Sequence, residues 1–404
     1  MMNGHPVQFV GVLMESGIIG LNSRIQEDLA AQDLDASKLT ITHTTAPREV
    51  PELNSKEVWS VKACTDHMVT VKWTEGVGWH APEIKPYGPL TIMPTASCLH
   101  YATQCFEGMK VYRGYDGKLR LFRPDKNCAR LVLSSTRVAL PPFNPQELEK
   151  ILKAFMALDG PRELLNRIKR LDMLINPGWL PKSRPGTFLY LRPAIIGNGE
   201  QLGVTSPSEV LLFIIAVPWP DLSIGTTPGA APKPPGLKLL ASKDDTRAWP
   251  GGFGYAKVGA NYGPAFVSHM EGRKRGYDQI LWLLNNNQEH EVTEAGASNF
   301  FVVWKTKDGR LELVTAPLDS KIILDGVTRR SVLELARERL VKGSEHLTAD
   351  LKSVEVVERT YTMLEVEEAQ RDGRLVEAFL SGTAVSIAKF QSLRFCIELR
   401  ANEQ

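Results

Sequence analysis

Six prolines fall between Pro218 and Gly236, the clearest punctuation in a chain of 404 residues. Proline fixes its own φ and has no N–H to give, so so dense a run excludes both a helix interior and the middle of a sheet. The stretch therefore reads as a linker, and the length of the chain suits two domains rather than one core. Before it stand two apolar runs, 188–196 and 209–217, which read as strands. The expected division is a lead-in over 1–60, a small α/β domain over 61–217, the linker over 218–236 and a larger α/β domain over 237–404.

Within the first half, Val69, Val71 and Trp73 alternate with polar or small neighbours and predict a strand from Met68 to Trp73. The Tyr115–Gly117 turn followed by alternation from Lys118 to Phe122 predicts a hairpin. Asp125 is placed to cap a helix running through Leu133. A second helix is expected from Pro145 to Leu158, with Leu148, Ile151, Leu152 and Phe155 on one face. Beyond the linker, strands at 279–284, 300–304 and 311–314 accompany helices at 329–340 and 384–390. These patterns alone leave α/β and α+β undivided.

Composition narrows the function classes. Lys plus Arg is 48 against 46 for Asp plus Glu, so the chain has no electrostatic footprint for nucleic acid. None of the five cysteines forms a C-x-x-C pair, and the eight histidines are scattered, which gives no support to a disulfide scaffold or a metal site. No apolar stretch approaches the length of a membrane span. Arg24 is the only arginine before Arg48, so an arginine-rich presequence has little support. The expectation is a cytoplasmic protein acting on small molecules, with a mitochondrial location left open.

The densest chemical signal lies between Trp249 and Gly263, where five glycines surround Lys257. Gly254 and Gly259 have the spacing of a phosphate loop, but Ala260 and Asn261 follow where that loop needs Lys and Ser or Thr. A dinucleotide G-x-G-x-x-G fails as well, because Lys257 stands at its third glycine. What remains is a lysine among small residues beside Tyr255 and Tyr262. Desolvation there would shift an ammonium toward the neutral amine that attacks aldehydes. By spacing alone, a surface lysine in a glycine-rich turn is the favoured reading.

The segment resembles the cofactor-lysine region of branched-chain amino-acid aminotransferases, which are fold-type IV pyridoxal-phosphate enzymes. Six further motifs resemble that family in the same order. They are 100–108 (HYATQCFEG), 121–124 (LFRP), 190–193 (YLRP), 293–299 (TEAGASN), 326–329 (GVTR) and 381–384 (SGTA). Seven motifs in order, spread from about residue 65 to 390, make the resemblance specific.

The resemblance implies a two-domain α/β fold with pyridoxal 5′-phosphate between the domains. Lys257 would carry the cofactor as a Schiff base and move the proton between substrate and cofactor carbons. Glu294 would face the pyridine nitrogen and keep it protonated, and Tyr262 would hydrogen-bond the cofactor's 3′-oxygen. Arg130 would hold the phosphate, helped by Val327, Thr328 and Thr383, which are expected just ahead of helices whose free N–H groups bind anions. Tyr101, Phe106, Tyr190, Arg192 and Ala384 would form a substrate pocket that accepts a branched aliphatic chain in one half-reaction and glutamate in the other. A homodimer is implied too, since sites of this family take residues from the partner subunit.

Three departures from the family pattern are visible. Val385 and Ala388 stand where some members have a C-x-x-C pair, so a redox switch of that kind is not expected. Ala297 stands where some relatives have Thr. The stretch from about 159 to 176 is longer than the family's usual path. The expected reaction is transfer of the amino group of L-Leu, L-Ile or L-Val to 2-oxoglutarate by ping-pong chemistry. Alternatives are a D-amino-acid or (R)-amine aminotransferase of the same fold and a cofactor-free relative. Tyr190, Arg192 and the 106–108 motif argue against the first, and Lys257, Tyr262, Glu294 and Arg130 together argue against the second.

Overall fold

The structure is a computed structural model describing residues 32–161, 178–220, 236–242, 244–286, 289–341, 344–345, 353–384 and 386–389. Nine strands form the first sheet: β1 (Thr40–Ile41), β2 (His67–Thr74), β3 (Gly78–Trp79), β4 (Glu83–Pro86), β5 (Gln104–Phe106), β6 (Met109–Arg113), β7 (Leu119–Leu121), β8 (Phe188–Gly197) and β9 (Glu209–Pro218). Their order is β1-β4-β2-β9-β8-β6-β7, with β3 on β2 and β5 on β8. The two apolar runs become the central strands β8 and β9, paired antiparallel from Leu189↔Pro218 to Gly197↔Val210. The hairpin expected around Gly117 is present as β6 and β7.

Among the described residues, four α-helices lie along this half: α1 (Lys56–Ser60), α2 (Ser97–Tyr101), α3 (Pro124–Arg137) and α4 (Pro145–Asp159). The i, i+3, i+4, i+7 stripe of Leu148, Ile151, Leu152 and Phe155 on α4 is wholly buried, in one apolar core with Val71, Leu191 and Leu212. Burial of each such side chain stabilises by about 2 kcal/mol. The cap of α3 differs from expectation. Arg123, at φ 48°, precedes the helix and Pro124 opens it, while Asp125 sits inside the first turn. Proline's preset φ suits the first helical position, and the acid then faces the positive end of the helix dipole.

The second sheet contains β10 (Leu239–Ala241), β11 (Gln279–Asn286), β12 (Glu289–Ala295), β13 (Ser298–Lys305), β14 (Leu311–Thr315), β15 (Glu355–Glu358), β16 (Leu375–Gly382) and β17 (Ser386–Lys389). It runs β10-β11-β12-β13-β14-β15, with β16 on β13 and β17 on β16. Its helices are α5 (Ala265–Lys274), α6 (Val327–Arg339) and α7 (Met363–Arg371).

The helix expected over 384–390 is replaced by a hairpin. Gly382 pairs with Ser386, and Thr383 and Ala384 form the turn. Ser386-Ile-Ala-Lys389 reads polar, apolar, apolar, polar, which is neither a clean strand period nor a helical one, and a run this short cannot settle the choice by periodicity. The helix expected from Arg329 begins two residues earlier, at Val327, so Val327 and Thr328 lie in its first turn. Residues 1–31, 162–177 and 221–235, which hold most of the lead-in, the longer stretch and the linker, lie outside the described residues.

The C-terminus of α4 is tied to β2 by a buried polar pair. His67 Nδ1 lies 2.6 Å from Asp159 Oδ1, and the backbone N–H of His67 donates to Asp159 Oδ2 at 3.1 Å. Thr44 N–H donates to His67 Nε2 at 2.9 Å, which assigns the ring proton to Nδ1. Replacing Asp159 by Ala strands two buried donors. Urea unfolding of Asp159→Ala is expected to show a loss of about 3 kcal/mol; a change below about 0.5 kcal/mol would show that the pair is not a structural tie.

Candidate active site

Lys257 is positioned by its backbone. Its N–H donates to Ser134 Oγ of α3 at 2.8 Å, and its carbonyl accepts from Phe106 N–H of β5 at 3.1 Å. Asn261 Nδ2 braces the same loop on the carbonyls of Phe253 and Ala256, at 3.0 and 2.8 Å. Gly254 permits the approach, because a Cβ there would lie 2.1 Å from the Ile322 carbonyl oxygen. The lysine side chain then reaches Tyr262, with Nζ donating to Oη at 3.0 Å. Nζ also stands 5.0 Å from the centre of the Phe106 ring.

Two carboxylates face this amine from different sheets. Glu107, which follows β5, is fully buried and paired in a fork with Arg130: Nε donates to Oε1 at 2.6 Å and Nη2 to Oε2 at 2.9 Å. Asn127 Nδ2 adds a third donor at 2.8 Å. Burial opposes the charge, yet the Arg130 guanidinium and these hydrogen bonds hold the Glu107 carboxyl below its ordinary value. Arg130 Nη1 donates onward to the Asp325 carbonyl at 2.8 Å.

Glu294, on β12, is equally dry. Its Oε1 accepts from Asn299 Nδ2 and from Leu324 N–H, both at 3.0 Å, and its Oε2 lies 2.7 Å from Arg247 Nη1. Here burial wins, and the carboxyl is pushed up against the opposing pull of Arg247, the Leu324 N–H, Lys257 and Arg329.

Lys257, Tyr262, Arg130 and Glu294 line one cavity of about 310 Å³ that draws on both sheets. Phe106, Arg130, Tyr190, Arg192, Lys257, Tyr262, Glu294, Val327, Thr328, Thr383 and Ala384 all border it. Tyr101 does not: it ends α2 at 42% exposure and meets His100 instead. Gly326 caps α6 with no side chain, leaving the first-turn N–H groups of Val327 and Thr328 uncovered by a cap. Thr383 and Ala384 approach from the β16–β17 turn rather than from a helix start, and Lys110 Nζ donates to the Ala384 carbonyl at 3.3 Å.

The other wall is aromatic. Arg192 lies over Phe106 at 4.7 Å, and Tyr190 stacks on Trp219 at 4.7 Å. Gly108 leaves room for the Tyr190 hydroxyl, since a Cβ would fall 1.8 Å from it. Three buried polar atoms at this cavity have no hydrogen-bond partner among the described residues: Arg192 Nε, Trp219 Nε1 and Ser381 Oγ. Sequence reading missed Arg247, Glu107, Asn299, Trp219 and Ser381 as site residues. Glu107, Asn299 and Ser381 stood inside recognised motifs, whereas Arg247 and Trp219 carried no signal.

The class IV amino-transferase family matches residues 104–393. The mitochondrial branched-chain-amino-acid aminotransferase of Schizosaccharomyces pombe is 39% identical over 363 residues, covering 90% of this chain and 76% of that protein. The cytosolic one of Saccharomyces cerevisiae is 41% identical over 362 residues, covering 89% of this chain and 86% of that protein. The fold is similar to the crystal structure of a branched-chain aminotransferase from Thermoproteus uzoniensis with norvaline, at a TM-score of 0.57 and 21% identity, over 83% of this chain and 90% of that one. With a family match over most of its length and relatives near 40% identity, the chain belongs to the class IV aminotransferases, among the branched-chain-amino-acid aminotransferases.

Proposed function

We propose that this chain transfers the amino group of L-leucine, L-isoleucine or L-valine to 2-oxoglutarate, with pyridoxal 5′-phosphate in the cavity and Lys257 as its point of attachment. The carrying observation is that Lys257 Nζ meets Tyr262 Oη at 3.0 Å in a cavity bordered by a cation, uncapped helix N–H groups and a buried carboxylate. That donor set fits the cofactor: Arg130, with Val327 and Thr328 N–H, suits a phosphate, and Glu294 suits a ring nitrogen. When bound, the pyridine ring supplies an electron sink for the charge left at the substrate's Cα.

The chain's own residues do the remaining work. Lys257 Nζ is the base that takes the Cα proton and returns it on the other side of the exchange. Tyr262 Oη holds that amine in place. Phe106 and Tyr190 exclude water and receive the branched side chain, while Ala384 borders the same space. Arg192 Nε and Trp219 Nε1, buried without partners among the described residues, are donors suited to the second carboxylate of glutamate in the return half-reaction.

Other parts of the reading follow. The small domain over 61–217 and the large one over 237–404 are supported by two sheets that share no strand. A homodimer gives the exposed Tyr101 its role, at the cavity of a second copy.

The test is the visible absorption of the protein with added pyridoxal phosphate. A band present in the wild type, bleached by L-leucine, restored by 2-oxoglutarate and missing in Lys257→Ala is expected, with turnover of the variant reduced on the order of 10³-fold or more. A band that ignores L-leucine but responds to D-alanine would overturn the substrate assignment.

Glu107→Gln tests how Arg130 is held. Because the folded state lowers the Glu107 carboxyl, its stabilisation is present above the ordinary value of about 4.3 and is lost as the pH falls. The variant is expected to be less stable by about 3 kcal/mol at pH 7, with the difference shrinking on acidification. Thermal unfolding at pH 7 and again below the ordinary carboxylate value measures it, and an equal deficit at each would assign the effect to packing rather than charge.

A further inference from the structure

Arg247 has no place in the chemistry described so far, yet it lies in direct contact with one of its central groups. It is a nearly buried guanidinium in the segment between β10 and the lysine loop. Besides Glu294 it reaches two carbonyls, Ile322 at 3.2 Å and Gly254 at 3.5 Å. It therefore joins the loop that carries Lys257 to the strand that carries Glu294.

A carboxylate offers about four lone-pair positions. Asn299 Nδ2 and Leu324 N–H occupy Oε1 of Glu294, and Arg247 occupies one side of Oε2. One position on Oε2 is left, on a residue that borders the cavity. We propose that Arg247 is a positioning residue: by holding Oε2 it leaves a single oriented lone pair of Glu294 for the ring nitrogen of the cofactor. This rests on the role proposed above for Glu294.

Charge supports the geometry. The groups facing Glu294 are Arg247, Lys257, Arg329, the Asn299 amide and the Leu324 N–H. Burial pushes the Glu294 carboxyl toward its neutral form, and Arg247 is foremost among the neighbours that oppose this. Lysine at 247 keeps the charge but cannot reach Glu294 and two carbonyls with one planar fork.

The experiment compares the binding of pyridoxal phosphate and of its 1-deaza analogue, which has carbon in place of the ring nitrogen, by fluorescence titration of the apoprotein. Residues in contact couple strongly, so Arg247→Gln is expected to weaken binding of pyridoxal phosphate on the order of tenfold and to leave the 1-deaza analogue unaffected. Arg247→Lys should give a smaller loss of the same selective kind, and it carries the test if Arg247→Gln does not fold. Equal weakening of both ligands would overturn the proposal, leaving Arg247 as a brace of the loop. Glu294→Gln is the control on the underlying role. If it fails to discriminate the two ligands, the assignment of Glu294 falls; if it discriminates and the Arg247 variants do not, only the present inference falls.

Discussion

The backbone of Lys257 is fixed before its side chain does anything. A lysine brings a flexible stem, and its amine is useful only if that stem starts from a defined point. The point is defined by Ser134 and Phe106, both from the first half of the chain, although Lys257 follows the prolines in the second. Ala256 and Val258 on either side are wholly buried in the first sheet's core. The glycine-rich run is thus a strap that carries a residue of the second half into the packing of the first. Its small side chains meet a steric need, as the contact of Gly254 with Ile322 illustrates.

Two buried carboxylates respond in opposite directions to similar desolvation. Glu107 receives Nε and Nη2 of one guanidinium, the Asn127 amide and the Gly108 N–H, and its carboxyl falls below the ordinary range. Glu294 receives one guanidinium contact and two neutral donors, and its carboxyl rises. The number of charge-assisted contacts decides the sign. Glu107 offsets the charge of Arg130, while Arg192 and Lys257 add cations to the same cavity. A site that handles anionic substrates thus draws its positive charge from a few placed groups, in a chain whose formal charge is only +2.

The central strands, α4 and the hairpin at Gly117 were legible because each is long or strongly periodic, or is marked by a turn residue with a fixed conformational reason. The β16–β17 hairpin was not, since the four residues of β17 do not alternate and carry no strand signal of their own. Of the expected site residues, eleven border one cavity and Tyr101 stands outside it. The motif containing Tyr101 says which residues lie near one another in sequence, not which side of α2 each takes. Arg247 illustrates the opposite limit. It stands far along the chain from Glu294, and no local pattern distinguishes it from any other arginine; only the closing of the second sheet brings them within 2.7 Å.

On the reading proposed for this chain, the cavity must serve two side chains of opposite polarity in turn. An apolar wall of Phe106 and Tyr190 satisfies the first and leaves the second without partners. Arg192 Nε and Trp219 Nε1 supply donors for it, but those donors are unpaired whenever a leucine side chain is bound. Each buried unpaired donor disfavours the folded state by about 1–3 kcal/mol. Stacking offers partial relief, because the Arg192 guanidinium lies on the Phe106 face and Trp219 lies on Tyr190, so both polar groups are embedded in aromatic contact even without an acceptor. The same rings that make the wall apolar thus make the idle donors tolerable, and dual specificity follows from where the stacks are placed.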